Sequence, residues 1–431
     1  MTDAHVRMWG REIGAVSWLP ERELGVFQYT PAFARSGIEI APITLPLREF
    51  PYEFPALPRN TYKGLPGLLA DSLPDKWGNA IIDAWLARQG RTAESFNPVE
   101  RLCYIGRRGM GALEFEPALL GPPSQANEVD IAALVDLSER ILNARQGLQG
   151  ELHGDDDREA MENILRVGTS AGGARAKAIL AWNPQTGAFR SGQLPASEGF
   201  QYWLFKFDGV SNNRDRELAD PAGFGRIEYA YALMAQAAGI HMSHCRLHEE
   251  GGRAHFMTQR FDRTPTGRKL HMLSLCAMAH YDFNQAGAWS YEQAIAVIRR
   301  LGLGMDAVEE QVRRAIFNVL ARNQDDHVKN IAFLMDQQGR WQLSPAFDIS
   351  YAWNPGGEWT GKHQMSLADK RDDFIRDDLL SFATTAGIKT GRAGQVVETV
   401  REAIDQWQEF SNYAGVDTQR ARQIAQAHRR L

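Results

Sequence analysis

Between residues 306 and 348 the sequence changes character four times in a fixed order, and that order restricts the folds open to this chain. Asp306 to Leu320 is periodic, with Val308, Val312, Ile316 and Val319 or Leu320 on one helical face. A polar octet follows, Asn323-Gln-Asp-Asp-His-Val-Lys-Asn330. Then come apolar Ile331-Ala-Phe-Leu-Met335, a turn at Gln337-Gln-Gly339, a second short strand Trp341-Gln-Leu343, and Ser344-Pro-Ala-Phe-Asp348. Helix, loop, hairpin, loop is the layout, and the hairpin returns the chain to the edge where the octet sits.

Phosphoryl transfer uses such an edge. The reaction is mostly positioning and charge neutralisation, and hard oxygen ligands suit Mg²⁺. In protein kinases a catalytic-loop Asp orients the attacking hydroxyl, an Asn five positions on binds Mg²⁺, and an Asp beyond a hairpin holds the metal that bridges the phosphates. Asp325 and Asn330 have that spacing, and Asp348 falls after the hairpin. The plainer reading is a solvated helix end carrying Asp325, Asp326 and Lys329. It loses weight because the octet lies between two apolar segments and three other kinase-type parts precede it in order.

The first part is Gly168-Thr-Ser-Ala-Gly-Gly-Ala-Arg-Ala-Lys177, between strand-like Ile164 to Val167 and Ala178 to Trp182. Glycines let backbone N–H groups approach phosphate oxygens, and Thr169, Ser170 and Lys177 add donors. Gly168 and Gly173 have the spacing of a Walker A loop, but Ala174-Arg175 stands where Lys-Ser/Thr is required, which disfavours a P-loop NTPase. A simple hairpin turn is the alternative. The second part is Lys206 in Tyr202-Trp-Leu-Phe-Lys-Phe207, a cation in an apolar strand that either meets phosphates or snorkels from a sheet edge. The third is Thr258-Gln-Arg-Phe-Asp-Arg263, at the join of two lobes, where an adenine base would meet backbone groups. His241-Met-Ser-His-Cys-Arg-Leu-His248 imitates a zinc site, but the run alternates along a strand and opens a hairpin through Glu249-Glu-Gly-Gly252, so structural histidines are expected. The basic stretch Arg420 to Arg430 reads as a helix whose last-turn cations suit its dipole, with DNA-phosphate contact as the lesser reading.

The rest of the chain gives the organisation. Its 431 residues exceed one ordinary core, so two or three packed units are expected. Gly14 to Leu19, Leu24 to Tyr29 and Ile38 to Leu45 read as strands of a small antiparallel sheet. Gly64 to Asp75 leads into a helix with Trp77, Ile81, Ala84 and Trp85 at helical spacing and Gly90 at its C-cap, expected to pack under that sheet. A glycine-rich stretch, Gly106 to Phe115, ends the unit, and Leu120 to Asn127 reads as a linker. Val129 to Gln149 is an amphipathic helix, and Gly154 to Arg158 an acidic solvated loop or helix start. Strands dominate Ile164 to Arg263 around one helix from Glu228 to Ala238, and helices dominate after Ser274, including Tyr291 to Leu301. The expected fold class is therefore α+β: a small β-rich N-terminal domain (1–125), then a bilobal protein-kinase-like domain with a β-rich lobe (126–263) and a helical lobe (264–431).

A net charge of −5 gives no global positive field for holding nucleic acid, so any DNA contact is local or through a partner. Cys103, Cys245 and Cys276, odd in number and far apart, suit a reducing compartment without disulfides. The start MTDAHVRMWGREIG lacks the apolar stretch of a signal peptide and no run of 18 apolar residues occurs, so a cytoplasmic protein without membrane contact is expected.

Over nearly its whole length the chain resembles the HipA family, the kinase toxins of bacterial toxin–antitoxin pairs. The resemblance is carried by Leu65-Pro-Gly-Leu-Leu-Ala-Asp-Ser-Leu-Pro-Asp-Lys-Trp-Gly78, Gly111-Ala-Leu-Glu-Phe115, Gly173-Ala-Arg-Ala-Lys177, Arg260-Phe-Asp-Arg263, Asp325-Asp-His-Val-Lys-Asn330 and Pro345-Ala-Phe-Asp348. It implies ATP and Mg²⁺ as cofactors, Asp325 as the catalytic aspartate, and Asn330 and Asp348 as metal ligands. It places Lys206 on the phosphates, the loop Gly172, Gly173, Ala174, Arg175, Ala176 and Lys177 over the nucleotide, backbone hinge contacts at Gln259 and Phe261, and His327 beside the nucleotide. In this family a serine before the Gly-Ala pair is autophosphorylated, which expels the loop and silences the kinase. Ser170 stands there, with Thr169 as the adjacent alternative, and Arg175 replaces a common Gln. The resemblance further implies a small helix-turn-helix antitoxin of the HipB type, DNA reached through it, a homodimer in the complex as an option, and a host protein substrate such as an aminoacyl-tRNA synthetase. Two other readings compete: a co-repressor with little or no catalysis, and a small-molecule phosphotransferase.

Overall fold

The computed structural model describes residues 2–119, 129–144, 175–192, 199–210 and 222–431. The linker from Leu120, the acidic loop from Gly154, strand-like Ile164 to Val167, and Thr169, Ser170, Gly172, Gly173 and Ala174 lie outside the described residues.

Among the described residues the strands form three antiparallel sheets. The first has the order β3-β2-β1-β4, with β1 Thr2–Met8, β2 Arg11–Leu19, β3 Leu24–Tyr29 and β4 Leu113–Glu116. Its first hairpin turns on Trp9 and Gly10, both at positive φ, the handedness that matches strand twist. Alternation buries Ala4, Val6 and Met8. The expected strand Ile38 to Leu45 does not form. Its chain turns instead, with the Leu45 N–H on the Ala41 carbonyl at 2.8 Å, because Pro42 has no N–H to give a ladder. Ile40, Ala41 and Leu45 are nonetheless fully buried, which is what made the run look like a strand. The fourth strand is β4, from the glycine-rich stretch, pairing Val6 with Phe115.

The helix Lys76–Arg88 starts on Asp75, whose carboxylate accepts from the Gly78 N–H at 2.6 Å. It does not pack under the first sheet, as periodicity suggested. Trp77, Ile81, Ile82 and Leu86 join one core with Ala178, Leu180, Trp203 and Phe205 of the second sheet, while the helix Pro98–Ile105 covers the first with Val99, Leu102 and Cys103. Spacing reveals an apolar face but not its partner.

The second sheet has the order β6-β5-β7-β9-β8, with β5 Lys177–Trp182, β6 Phe189–Ser191, β7 Gln201–Lys206, β8 Cys245–Glu250 and β9 Arg253–Gln259. The helix Ile131–Ala144 contributes to its core. The helix Phe224–Ala237 lies against β8 and β9 so closely that a Cβ on Gly225 would collide with the Ala254 carbonyl. The third sheet, β10-β11-β12 (His271–Ser274, Ala332–Met335, Trp341–Leu343), opens the helical part, built from Tyr291–Arg300, Met305–Leu320, Arg376–Thr385, Thr390–Asp405, Trp407–Tyr413 and Thr418–Ala427. No helix among the described residues is long and apolar enough to cross a membrane.

The first sheet and the helical part share one core. Asp71 fixes Ser274 by its N–H and its hydroxyl at 2.8 and 2.7 Å. Two histidines bridge the same seam: His271 bonds the Ile40 carbonyl through Nε2 at 2.9 Å, and His280 Nε2 accepts from the Gly67 N–H at 3.1 Å. Burial pushes both imidazoles down to about 4. A folded pKa below the unfolded value means stability that is complete above pH ~6.5 and lost as pH falls toward 4. We expect each histidine to contribute at most on the order of 1 kcal/mol per pH unit across that window. Thermal melts between pH 7.5 and 4.5 would show a falling midpoint, and a flat profile would contradict the assignment.

Candidate active site

Lys206 ends β7, the middle strand of the second sheet, so its side chain has no sheet edge from which to snorkel. A buried ammonium needs anions. Its Nζ lies 2.5 Å from Glu228 Oε1, on the helix Phe224–Ala237, and is also ion-paired with Asp348 Oδ1. Burial works against the charged form, but Asp348 and Glu228 outweigh it and hold Lys206 above its ordinary value. Glu228 went unrecognised in the sequence beyond marking a helix start. The available signal was an acid among Ile227, Ala230 and Tyr231 on a helix that buries all of them.

Two other loop-derived cations sit close by. Arg175 Nη1 is 3.6 Å from Glu228 Oε2, with its guanidinium 3.2 Å from the centroid of the Phe224 ring. Lys177 Nζ bonds Asp75 Oδ2 at 2.7 Å, and its carbonyl accepts from Trp77 Nε1 at 3.0 Å. The base of the glycine loop is therefore fastened to the N-terminal unit, which sequence reasoning did not foresee. Ala176 is buried beside it.

The octet begins where the helix Met305–Leu320 stops, at Arg322 with φ +57°. Its two aspartates have different surroundings. Asp326 is buried and accepts from the Tyr291 hydroxyl (2.7 Å), the Gln364 N–H (2.7 Å) and His363 Nδ1 (2.8 Å). Burial raises its pKa, but His363, Tyr291 and the Gln364 amide together bring it below the usual value. Asp325 is held by Trp359 Nε1 on Oδ1 (2.8 Å), and its carbonyl accepts from Asn330 Nδ2 (2.8 Å), which closes the loop on itself. His327 Nε2 stands 3.9 Å from Asp325 Oδ1, its ring between Phe283 and Trp359.

Asp348 adopts φ +53°, a left-handed conformation that Asp tolerates better than most residues. Burial raises its carboxyl, but Lys206, then Lys177 and His327, bring it down to about 2. Asp326, His327, Asn330 and Asp348 line a single cavity, so hairpin β11–β12 does return the chain as its pattern predicted. Among the described residues no three His, Cys, Asp or Glu side chains converge into a metal cage. Mg²⁺ takes one or two carboxylates and completes its shell with water and phosphate. Asp348 and Asn330 offer such oxygens.

Phe261 and Phe347 have ring centroids 5.5 Å apart, which puts the segment expected as a hinge beside the Asp348 turn. The Gln259 N–H is bonded to the His244 carbonyl at 2.8 Å. Arg260 and Arg263 both pair with fully buried Asp262, which also takes the Gly111 N–H at 2.7 Å. The Arg-Phe-Asp-Arg motif thus ties this segment to the N-terminal glycine-rich stretch. In the histidine run, His244 packs on Trp203 and His248 on Phe189.

Residues 4–116 match the family model HipA N-terminal domain, and residues 169–408 match HipA-like C-terminal domain. Among solved structures, the chain is similar to HipA of the Shewanella oneidensis MR-1 toxin–antitoxin system, in complex with HipB and its operator DNA. Identity is 16%, 98% of this chain and 94% of that chain are covered, and the TM-score is 0.67. The Helicobacter pylori proinflammatory kinase CtkA matches over 52% of this chain and 92% of its own at 12% identity, with a TM-score of 0.31, too slight a likeness to argue from. No curated protein matches.

Proposed function

This chain belongs to the HipA family, and from that premise we propose that it is an ATP- and Mg²⁺-dependent Ser/Thr protein kinase, the toxin of a toxin–antitoxin pair. The observation that carries the reading is the buried Lys206, bound at once to Glu228 and Asp348. Kinases require a strand lysine paired with a helix glutamate beside the metal-binding aspartate, and a purely structural core has no use for three charges gathered there.

In this reading Lys206 orients the nucleotide phosphates, and Asn330 and Asp348 hold Mg²⁺. Bound there, the ion supplies charge neutralisation at the transferring phosphoryl group. Asp325, its rotamer fixed by Trp359, accepts the proton-bearing hydroxyl of the protein substrate and aligns it. Gly172, Gly173, Ala174, Arg175, Ala176 and Lys177 cover the nucleotide, Gln259 and Phe261 receive the base, and His327 lies beside the site. Ser170, or Thr169, takes phosphate in cis. The substrate in trans is a host protein, an aminoacyl-tRNA synthetase being the first candidate.

The relative solved with HipB and operator DNA favours a HipB-like antitoxin here too, with DNA reached through it; a helix-turn-helix fold for that antitoxin, and a homodimer as an option in the complex, belong to the proposal. The net charge of −5 fits DNA contact by proxy. That same complex favours the second reading, a weakly catalytic co-repressor. Incubating dephosphorylated protein with ATP and Mg²⁺, then measuring intact mass and mapping peptides, decides between them. We expect one added phosphate on Ser170 or Thr169. No added mass together with no nucleotide binding would leave the co-repressor.

A further inference from the structure

The kinase reading employs Asp325 and assigns nothing to Asp326, although Asp326 is the more deeply buried of the two. Its partners lead outward. His363, fully buried, stands between Asp326 and Arg429: Nδ1 is 2.8 Å from Asp326 Oδ2 and Nε2 is 2.9 Å from Arg429 Nη1. An arginine only donates, so Nε2 accepts, the ring proton sits on Nδ1, and Nδ1–H donates to Asp326. The hydrogen bonds run in one direction, from Arg429 through His363 to Asp326.

Arg429 belongs to a short segment laid along the last residues before the catalytic loop. The Arg429 N–H donates to the Leu320 carbonyl at 2.9 Å, and Arg322 Nε donates to the Ala427 carbonyl at 2.9 Å. The Arg429 guanidinium also bonds the Val319 carbonyl and Asp372. Between them, the Tyr231 hydroxyl donates to the Ala321 carbonyl at 2.7 Å and meets His428 Nε2 at 3.0 Å. Tyr231 shares its helix with Glu228, the partner of Lys206. His363, Gln364 and Asp372 lie on the stretch that follows Asp348. One three-residue segment therefore touches the approach to the catalytic loop, the helix that carries the lysine's partner, and the segment after the metal-binding aspartate.

We propose that Ala427–Arg429 is a positioning strap for the catalytic loop, acting through His363 on Asp326 and so on the placement of Asp325. The consequence for transfer rests on the kinase reading; the consequence for loop order does not. Small displacements of a catalytic group are expensive in rate, whereas the hydrogen bonds of Arg429 end on Leu320, Val319, His363 and Asp372 and not on Lys206, Asn330 or Asp348.

The test uses the full chain with Arg429→Ala, Arg429→Lys and His363→Asn. Asparagine keeps an N–H for Asp326 but is too short to reach Arg429, so it separates the strap from the loop without stripping Asp326. In Arg429→Ala and His363→Asn we expect backbone amide exchange across 323–330 to accelerate about tenfold or more. Single-turnover transfer should fall by about tenfold or more, with ADP affinity changed less than about twofold. Arg429→Lys should recover part of both, since it can still reach Asp372 and the Val319 carbonyl. Folded variants with wild-type exchange and wild-type transfer would overturn the strap. Should Arg429→Ala fail to fold, His363→Asn carries the comparison. If the wild-type protein transfers no phosphate, the kinase reading falls, while exchange across 323–330 still decides the strap.

Discussion

Asp325→Ala is expected to lower phosphoryl transfer by about 10²–10⁴-fold, the range for losing a positioned general base, while leaving the fold and nucleotide affinity close to wild type. The two effects separate because of where Asp325 sits. Its carboxylate is tied by Trp359 and approached by His327, not built into the core, and the nearby cations Lys206 and Lys177 are held by other carboxylates. Asp326→Ala should do the reverse in kind. It would leave the Tyr291 hydroxyl, the Gln364 N–H and His363 Nδ1 without their shared acceptor in a buried site, at a cost of about 1–3 kcal/mol for each group left unpaired. Radiolabel transfer, equilibrium unfolding and titration with ADP on both variants would tell them apart. Transfer by Asp325→Ala at the wild-type rate would remove this residue from the mechanism, and loss of folding in Asp325→Ala would mean the two neighbours share one structural task.

That contrast marks how far the sequence could be read. The order helix, octet, hairpin was legible because each boundary is local: apolar periodicity up to Leu320, then a polar octet, then an apolar run, a turn and a second short strand. Spacing in such a stretch converts into geometry, so Asn330 and Asp348 do line the same cavity. Lys206 was legible because a lone cation in an apolar strand needs a partner, but the partner was not, since Glu228 is reached only through the packing of a helix on β8 and β9. Asp75 was hidden for the same reason. In the sequence it only ends the lead-in to a helix; in the structure it caps that helix, and nothing local told that the cap also meets Lys177. Ile38 to Leu45 misled because burial and strand pairing usually coincide, and there they do not.

Asp75 carries the other large effect. Its side chain and that of Lys177 are almost wholly enclosed, 2.7 Å apart, at the junction of the N-terminal unit and the base of the glycine-rich loop. Removing one partner of a buried ion pair strands the other, so Asp75→Asn is expected to destabilise the protein by roughly 3–5 kcal/mol. Asparagine can still accept from the Gly78 N–H, so Asp75→Ala should cost about 1 kcal/mol more for the lost cap. Lys177→Met is expected to behave differently with pH. Burial already raises the Asp75 carboxyl, with Lys177 and the Gly78 amide pulling it back, and without Lys177 it rises further. A folded pKa above the unfolded value contributes stability that is full below pH ~4 and fades as pH rises through the folded pKa. The deficit of Lys177→Met relative to wild type should therefore widen from pH 5 to pH 8, while that of Asp75→Asn, which leaves a lysine rather than an acid, should shrink as Lys177, whose pKa burial already lowers, loses its proton. Denaturant melts of both variants across that range give the two slopes. Parallel, pH-independent deficits would mean that the two side chains are held by packing and that their charges do not link the loop to the N-terminal unit.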